Sequence, residues 1–211
     1  MSAYNAIRMI LVLCSGTVIV WTYLKLVRTN HLPKVLRIAI CAGLIVLAVG
    51  TLVILNVPFE NKLFAFSTPE KALFYWDGSK ALETLHGSQS SMVIYRTDQG
   101  KSQTIFLKTD RGFVLPNGFW PPRLRSYSIV TRKNFGSRYW EVYRVKGTED
   151  YYIVGSAVPA DTSVQLLRDS GKASGDGIVR FDGSFFFFLY VESLNEHDFF
   201  VIDGEKMQIL E

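Results

Sequence analysis

The stretch from Met9 to Val57, MILVLCSGTVIVWTYLKLVRTNHLPKVLRIAICAGLIVLAVGTLVILNV, contains two apolar runs joined by a short basic segment. The runs cover residues 9–27 and 35–56. A helix rising about 1.5 Å per residue over either run would cross a hydrocarbon core of roughly 30 Å. Hydrocarbon offers no partners to backbone polar groups, which favours helices. The sequence therefore predicts a transmembrane hairpin over residues 1–57 with a loop at 28–34. A pair of soluble core helices is disfavoured, because the chain is too short to surround them.

The charges of the hairpin predict its orientation. The first 56 residues contain five basic side chains and no acidic one. Four of the five lie in or beside the loop, and the positive-inside rule places such a loop in the cytoplasm. Both termini would then lie outside the plasma membrane. The five basic residues are Arg8, Lys25, Arg28, Lys34 and Arg37.

The overall charge does not indicate a nucleic-acid partner. The chain has a formal charge of +4 and a pI of about 9.0. The 155 residues after position 56 carry 18 basic and 19 acidic side chains, so the positive surplus belongs to the hairpin. The only cysteines, Cys14 and Cys41, lie in the apolar runs. The outer domain is therefore expected to fold without disulfides.

Small residues mark one face of the second apolar run. Ala39, Gly43 and Gly50 are spaced by four and seven positions and share a helix face. Small residues let membrane helices approach closely. Packing of the hairpin against itself is the favoured reason for this pattern. A helix of a membrane-protein partner, or of a second copy, is the alternative.

A β-rich extracytoplasmic domain is expected after the hairpin, with residues 58–66 as a juxtamembrane tether and residues 67–211 as the domain. Ser67 as N-cap, Pro69 in the first turn and Glu70 closing a capping box predict a short helix ending near Trp76.

From residue 81 onward the apolar pattern has a period of two, which is typical of strands. Turn-forming sequences such as Asp203-Gly204 separate the runs, so antiparallel pairing is expected. This predicts a sandwich or a half-open barrel. The apolar run Phe185–Tyr190 is predicted to be a strand buried on both faces. The strands are predicted near residues 82–86, 90–97, 102–109, 124–133, 138–147, 150–156, 162–168, 177–181, 185–192, 198–203 and 206–210.

An aromatic loop, GFVLPNGFWPP at residues 112–122, is the most unusual local sequence. Its prolines keep it out of a central strand. The favoured interpretation is that its side chains close one end of the core. Alternatively, they form an exposed rim that contacts a partner, a sugar ring or the bilayer surface. The candidate contact residues are Phe113, Leu115, Phe119 and Trp120.

A basic segment follows at residues 123–146, with seven basic side chains and one acidic one, Glu141. It could meet anionic lipid or an anionic wall polymer. Cancellation by acidic residues across the sheet is the favoured alternative. The candidate contact residues are Arg123, Arg125, Arg132 and Lys133.

No catalytic, metal or cofactor motif is present. His86 and His197, the histidines of the outer domain, lie in neither a G-x-S-x-G nor an H-E-x-x-H context. We therefore expect a non-catalytic accessory or sensor-like membrane subunit. The alternatives, in order, are a module that binds lipid or an anionic wall polymer, and a cell-envelope enzyme that uses a carboxylate pair. The layout resembles that of small envelope proteins of Gram-positive bacteria, although no motif assigns a family.

Overall fold

The structure is a computed structural model that describes residues 2–28, 32–98, 100–116, 127–136, 138–157, 164–168, 171–172, 178–181, 184–202 and 205–210. Its helices are α1 (Ala3–Thr22), followed directly by a π-helical turn (Tyr23–Val27), α2 (Lys34–Asn56), α3 (Glu60–Leu63) and α4 (Pro69–Trp76). The strands are β1 (Ala81–His86), β2 (Ser90–Thr97), β3 (Gly100–Thr109), β4 (Gly112–Val114), β5 (Tyr127–Phe135), β6 (Arg138–Val145), β7 (Tyr151–Ala157), β8 (Val164–Arg168), β9 (Gly171–Lys172), β10 (Ile178–Phe181), β11 (Ser184–Val191), β12 (Phe199–Ile202) and β13 (Glu205–Gln208).

The predicted pair of apolar helices is confirmed. Ala3–Leu26 and Lys34–Asn56 are long and apolar enough to cross a membrane, and they contact one another along the hairpin. The first helix starts six residues before its apolar run. The reason is a local cap, since the Ser2 hydroxyl accepts a hydrogen bond from the Asn5 N–H at 3.2 Å.

Helix α4 is confirmed, but its predicted N-cap is wrong by one residue. Thr68, not Ser67, caps the helix by accepting from the Lys71 N–H at 3.4 Å. The residue before a proline is held in an extended conformation, so the helix can begin only at Pro69. Ser67 instead accepts a hydrogen bond from the Lys71 ammonium at 2.9 Å.

The strands form three antiparallel sheets. Sheet A has the order β1-β2-β3-β4, sheet B the order β10-β11-β7-β6-β5, and sheet C the order β13-β12-β8-β9. Each predicted strand overlaps an observed one. Strands β4 and β9 were not predicted, because runs of three and two residues are too short to show a period.

Sheet B is apolar on both faces and lies at the centre of the domain. One face packs against sheet A, where Tyr152 and Phe188 meet Met92 and Ile105. Of the two predicted arrangements, a sandwich or a half-open barrel, this face-to-face packing of antiparallel sheets fits the sandwich. The other face packs against the C-terminal residues Met207 and Ile209. The sheet B residues on this face are Trp140, Val142, Ile153, Phe187, Leu189 and Val191. Buried Phe187 and Phe188 confirm that the predicted strand is covered on both faces over residues 186–190.

Helix α4 and the start of α1 cover the outer face of sheet A. Ala72 and Leu73 of α4 and Tyr4 of α1 pack against Val93 and Phe106. The hairpin thus contributes a side chain to the core of the domain.

A buried carboxylate, Asp150, joins sheets A and B. It accepts hydrogen bonds from the Ser88 hydroxyl at 2.7 Å, the Ser90 hydroxyl at 2.5 Å, the Gln89 N–H at 2.9 Å and the Tyr190 hydroxyl at 3.0 Å. The turn between β1 and β2 is thereby fixed to β7 and β11. Gly87 in this turn lies so close to Asp150 that an added Cβ would be only 2.7 Å from Asp150 Oδ2, which leaves no room for a side chain.

The hydrogen bonds also keep Asp150 ionised. Burial opposes ionisation, but the bonds from Ser90, Ser88 and the Gln89 N–H outweigh it and hold the pKa of Asp150 below its ordinary value. The stabilisation from this charge is therefore present above the unfolded pKa of about 4. It is lost as pH falls through the lower folded pKa.

We expect Asp150→Asn to lower the free energy of unfolding by about 2–4 kcal/mol at pH 7, because the amide keeps only one acceptor oxygen and turns an NH2 group toward the buried donors that bound the other. Urea denaturation of the detergent-solubilised full chain, followed by tryptophan fluorescence, measures the change. Asp110→Asn is the control, since Asp110 is exposed. The difference between the variant and the unmodified chain should shrink below about pH 4. An undiminished difference in acid would contradict the charge-based explanation.

Candidate functional site at the junction of hairpin and domain

A buried ion pair joins the hairpin to the β domain. Arg8 of α1 donates to both carboxylate oxygens of Glu60, the first residue of α3, and the Nη2–Oε2 distance is 2.9 Å. The side chains are only 7% and 3% exposed. The two helices of the hairpin bring these residues together across 52 positions of sequence. Such a bidentate pair fixes orientation as well as distance.

Aromatic rings enclose the ion pair. The Arg8 guanidinium carbon lies 3.6 Å from the centre of the Tyr4 ring and 5.2 Å from that of Phe59. The Tyr75 hydroxyl donates to Glu60 Oε1 at 3.4 Å. Burial, with the negative charge of Glu60, raises the pKa of Tyr75 and keeps it a hydrogen-bond donor at neutral pH.

The segment after the hairpin is fastened to the domain. The side chain of Asn61 accepts from the Leu115 N–H at 2.8 Å and donates to the Leu115 carbonyl at 2.9 Å. Phe66 and Phe113 exchange two backbone hydrogen bonds, each of 2.8 Å. These bonds hold residues 58–66, the predicted juxtamembrane tether, against the domain. The segment is held because its polar groups find partners on β4 and the residue that follows.

Glycine is required where this segment crosses β4. Gly112 has a φ of 125°, a conformation that other residues rarely adopt. A Cβ at this position would also collide with the carbonyl of Phe66. The junction therefore depends on Gly112, the first residue of the aromatic loop at 112–122.

Two of the aromatic-loop candidates are core residues. Phe113 is 8% exposed and Leu115 is 1% exposed, in a cluster with Tyr4, Leu73 and Phe106. The favoured interpretation, that the loop closes the core, therefore holds for these two residues, and the alternative of exposed contacts is wrong for them, because they seal sheet A beneath the junction. Phe119 and Trp120 lie outside the described residues, as do Arg123 and Arg125 of the basic segment.

The described part of the basic segment contains local charge pairs. Arg132 on β5 pairs with Glu141 on β6, and Arg144 pairs with Glu149 at 3.4 Å. These pairs agree with the favoured expectation that nearby acidic residues cancel the charge of the basic segment. Lys133 is half-buried on β5.

Glu141 also accepts hydrogen bonds from the hydroxyls of Tyr139 and Tyr143. Burial opposes its ionisation, but the bonds from Tyr139, Tyr143 and Arg132 outweigh it, so the pKa of Glu141 lies below its ordinary value. Burial and the bond to Glu141 raise the pKa of Tyr139 to about 12. At neutral pH Glu141 is therefore a fixed anion with its three donors in place, an arrangement that stabilises the sheet.

The small-residue face of α2 points away from α1. Ala39, Gly43 and Gly50 are exposed, and no described heavy atom lies within 4 Å of a Cβ built on either glycine. Half-buried Ile40 and Leu44 mark a different side of the helix. The favoured explanation, packing of the hairpin against itself, is therefore wrong for these glycines.

The described residues include no group of three or more His, Cys, Asp or Glu side chains that could hold a metal ion. The sequence reasoning missed Arg8, Glu60 and Asp150 as key residues. The first two gave a signal, since Arg8 is the isolated charge at the start of an apolar helix and Glu60 is the first acidic residue of the chain. For Asp150 there was no local signal, because its donors lie about 40 and 60 positions away.

No protein-family model, curated protein or solved structure matches this chain. Its function must therefore be argued from the geometry of its own residues.

We expect Arg8→Leu or Glu60→Leu alone to cost about 3–5 kcal/mol, because each leaves an uncompensated buried charge. The double variant should recover most of this loss, since it removes both charges. Denaturation of the solubilised full chain measures stability, and hydrogen exchange of the amides in residues 60–66 reports on the junction.

Arg144→Leu is the matched control, because its ion pair with Glu149 is exposed on both sides and should be worth no more than about 1 kcal/mol. A double variant as unstable as the single ones would argue against charge pairing as the source of the junction's strength.

Proposed function

We propose that this chain is a two-pass membrane protein that holds a non-catalytic β domain against the outer surface of the plasma membrane. In this arrangement the loop at residues 28–34 is cytoplasmic and both termini are extracytoplasmic. The two long apolar helices and the cluster of basic residues at the loop support this topology. The domain would act by contact, as an accessory or sensor-like subunit.

The observation that carries this proposal is the fastened junction. A domain on a flexible tether can search a volume set by the tether length. Here the Arg8–Glu60 pair and the Asn61–Leu115 hydrogen bonds leave little slack between α2 and the domain. A domain held in this way meets partners at the level of the headgroups, and a change in the tilt of α1 would move the domain with it.

The partner we propose is a helix of another membrane protein, docked on the small-residue face of α2. The exposed glycines Gly43 and Gly50 allow close backbone approach. The seven-residue loop is too short to form a signalling domain, so communication with the cell interior requires the helices of a partner.

The other functions draw less support from the described residues. A domain that binds anionic wall polymer needs open positive charge, whereas Arg132 and Arg144 are locally paired. An envelope enzyme needs an accessible acid or base, whereas Asp150 is fully buried and Glu141 is held by three donors.

Cysteine labelling tests the topology. In a Cys14→Ser and Cys41→Ser background, we expect Asp110→Cys to react with a membrane-impermeant maleimide on intact cells. Asn30→Cys should react only after the membrane is permeabilised, since it lies in the predicted cytoplasmic loop. The reverse pattern would overturn the proposed orientation.

In-membrane crosslinking and co-purification of the full chain test the partner. We expect a defined membrane protein to be recovered, and its yield to fall at least about tenfold when Gly43 and Gly50 are both changed to leucine, because the added side chains prevent close helix approach. Gly16→Leu is the matched control, since Gly16 also has no described heavy atom within 4 Å of a built Cβ. Recovery of the chain alone, or only as a homodimer, would contradict the accessory-subunit proposal.

A further inference from the structure

An open groove lies at the loop end of α2, away from the junction. It has a volume of about 530 Å³, and the residues that line it are Lys34, Arg37, Ile38, Cys41, Ala42 and Ile45. All six belong to one side of the helix, since they recur every three or four positions. The small side chains of Cys41 and Ala42, between Ile38 and Ile45, create the hollow.

The groove has a charged mouth and an apolar floor. Lys34 and Arg37 are one turn apart at the start of α2, where the helix meets the loop. From Lys34 to Ile45 the helix rises about 16 Å, which is close to half of a hydrocarbon core of roughly 30 Å. The groove therefore has the length of one bilayer leaflet, with its cations at headgroup level.

The chemistry at the mouth favours an anion. The first 56 residues contain no acidic side chain, and four of their five basic residues belong to this end of the hairpin. Basic pockets beside membrane helices on the cytoplasmic side are suited to anionic lipid headgroups. A soluble phosphate would use the two cations but would leave the apolar floor uncovered.

We propose that this groove binds one anionic phospholipid, with the headgroup phosphate at Lys34 and Arg37 and one acyl chain along Ile38, Cys41, Ala42 and Ile45. The lipid lies on a side of α2 that does not include Ala39, Gly43 or Gly50. The proposal rests on membrane insertion of the hairpin, but it does not depend on a protein partner.

The test is native mass spectrometry of the full chain released from nanodiscs containing equal amounts of phosphatidylglycerol and phosphatidylcholine. We expect one phosphatidylglycerol to be retained in preference to phosphatidylcholine. Each cation in contact with the bound headgroup is expected to contribute about a fivefold preference, so Lys34→Gln with Arg37→Gln should reduce retention by about twenty-fivefold.

Two matched controls separate the groove from general charge attraction. Lys25→Gln with Arg28→Gln removes the same charge from the loop end and should reduce retention by less than about threefold. Ala42→Phe fills the groove without a charge change and should abolish retention, whereas Ala39→Phe makes the same change outside the lining residues and should not.

The proposal would be overturned if the two double glutamine variants lost phosphatidylglycerol equally. It would also be overturned if the two phenylalanine variants retained phosphatidylglycerol equally. A chain that enters nanodiscs but shows no phosphatidylglycerol preference would overturn the lipid site alone. A chain that fails to enter them would contradict the proposed two-pass function as well.

Discussion

The domain is organised by a sheet that is apolar on both faces. Phe186, Phe188 and Tyr190 of β11 face sheet A, whereas Phe187, Leu189 and Val191 face Met207 and Ile209 near the C-terminus. Neither face of this strand can therefore be left in water. Because both faces of sheet B must be covered by other elements, the domain is built in layers. Sheet A supplies one cover, and its own outer face then needs α4 and Tyr4. Each layer thus covers the apolar face of the layer beneath it, and the outermost cover includes Tyr4 in the first turn of α1.

Directional bonds then hold the layers at fixed positions. Apolar contacts tolerate sliding, whereas a buried carboxylate with several donors has few acceptable arrangements. Asp150 plays this part between sheets A and B, and Glu60 does so between the hairpin and the domain. Both are deeply buried charges whose cost of desolvation is offset only when all partners are present. Hydrogen bonds to a buried carboxylate thus connect the hairpin to the domain at Glu60 and sheet A to sheet B at Asp150.

The sequence predicted what local patterns encode. The two apolar helices, the strand positions and the strand covered on both faces over residues 186–190 follow from periodicity and turn residues, which are read within about ten positions. Long-range choices were not predictable in this way. The face of α2 that meets α1 could not be inferred from the spacing of Gly43 and Gly50, because close packing is only one use of small residues. The sequence also offered no sign that residues 58–66 would bind back to Leu115, since the hydrogen bonds that hold them cross more than 50 positions.

The Arg8–Glu60 pair has a consequence for how the protein is made. Arg8 emerges early in synthesis, and its partner appears only after both apolar helices have been translated. In the proposed membrane topology, an unpaired arginine beside the hydrocarbon boundary is costly, so Arg8 would stay in the headgroup region until Glu60 arrives on the same side. In the proposed two-pass topology, the pair can therefore close only when both helices have crossed, because both crossings are needed to place Arg8 and Glu60 on the same side. The domain completes its core with Tyr4, one turn before Arg8, so in the proposed topology a hairpin with only one inserted helix would leave the outer face of sheet A without this side chain.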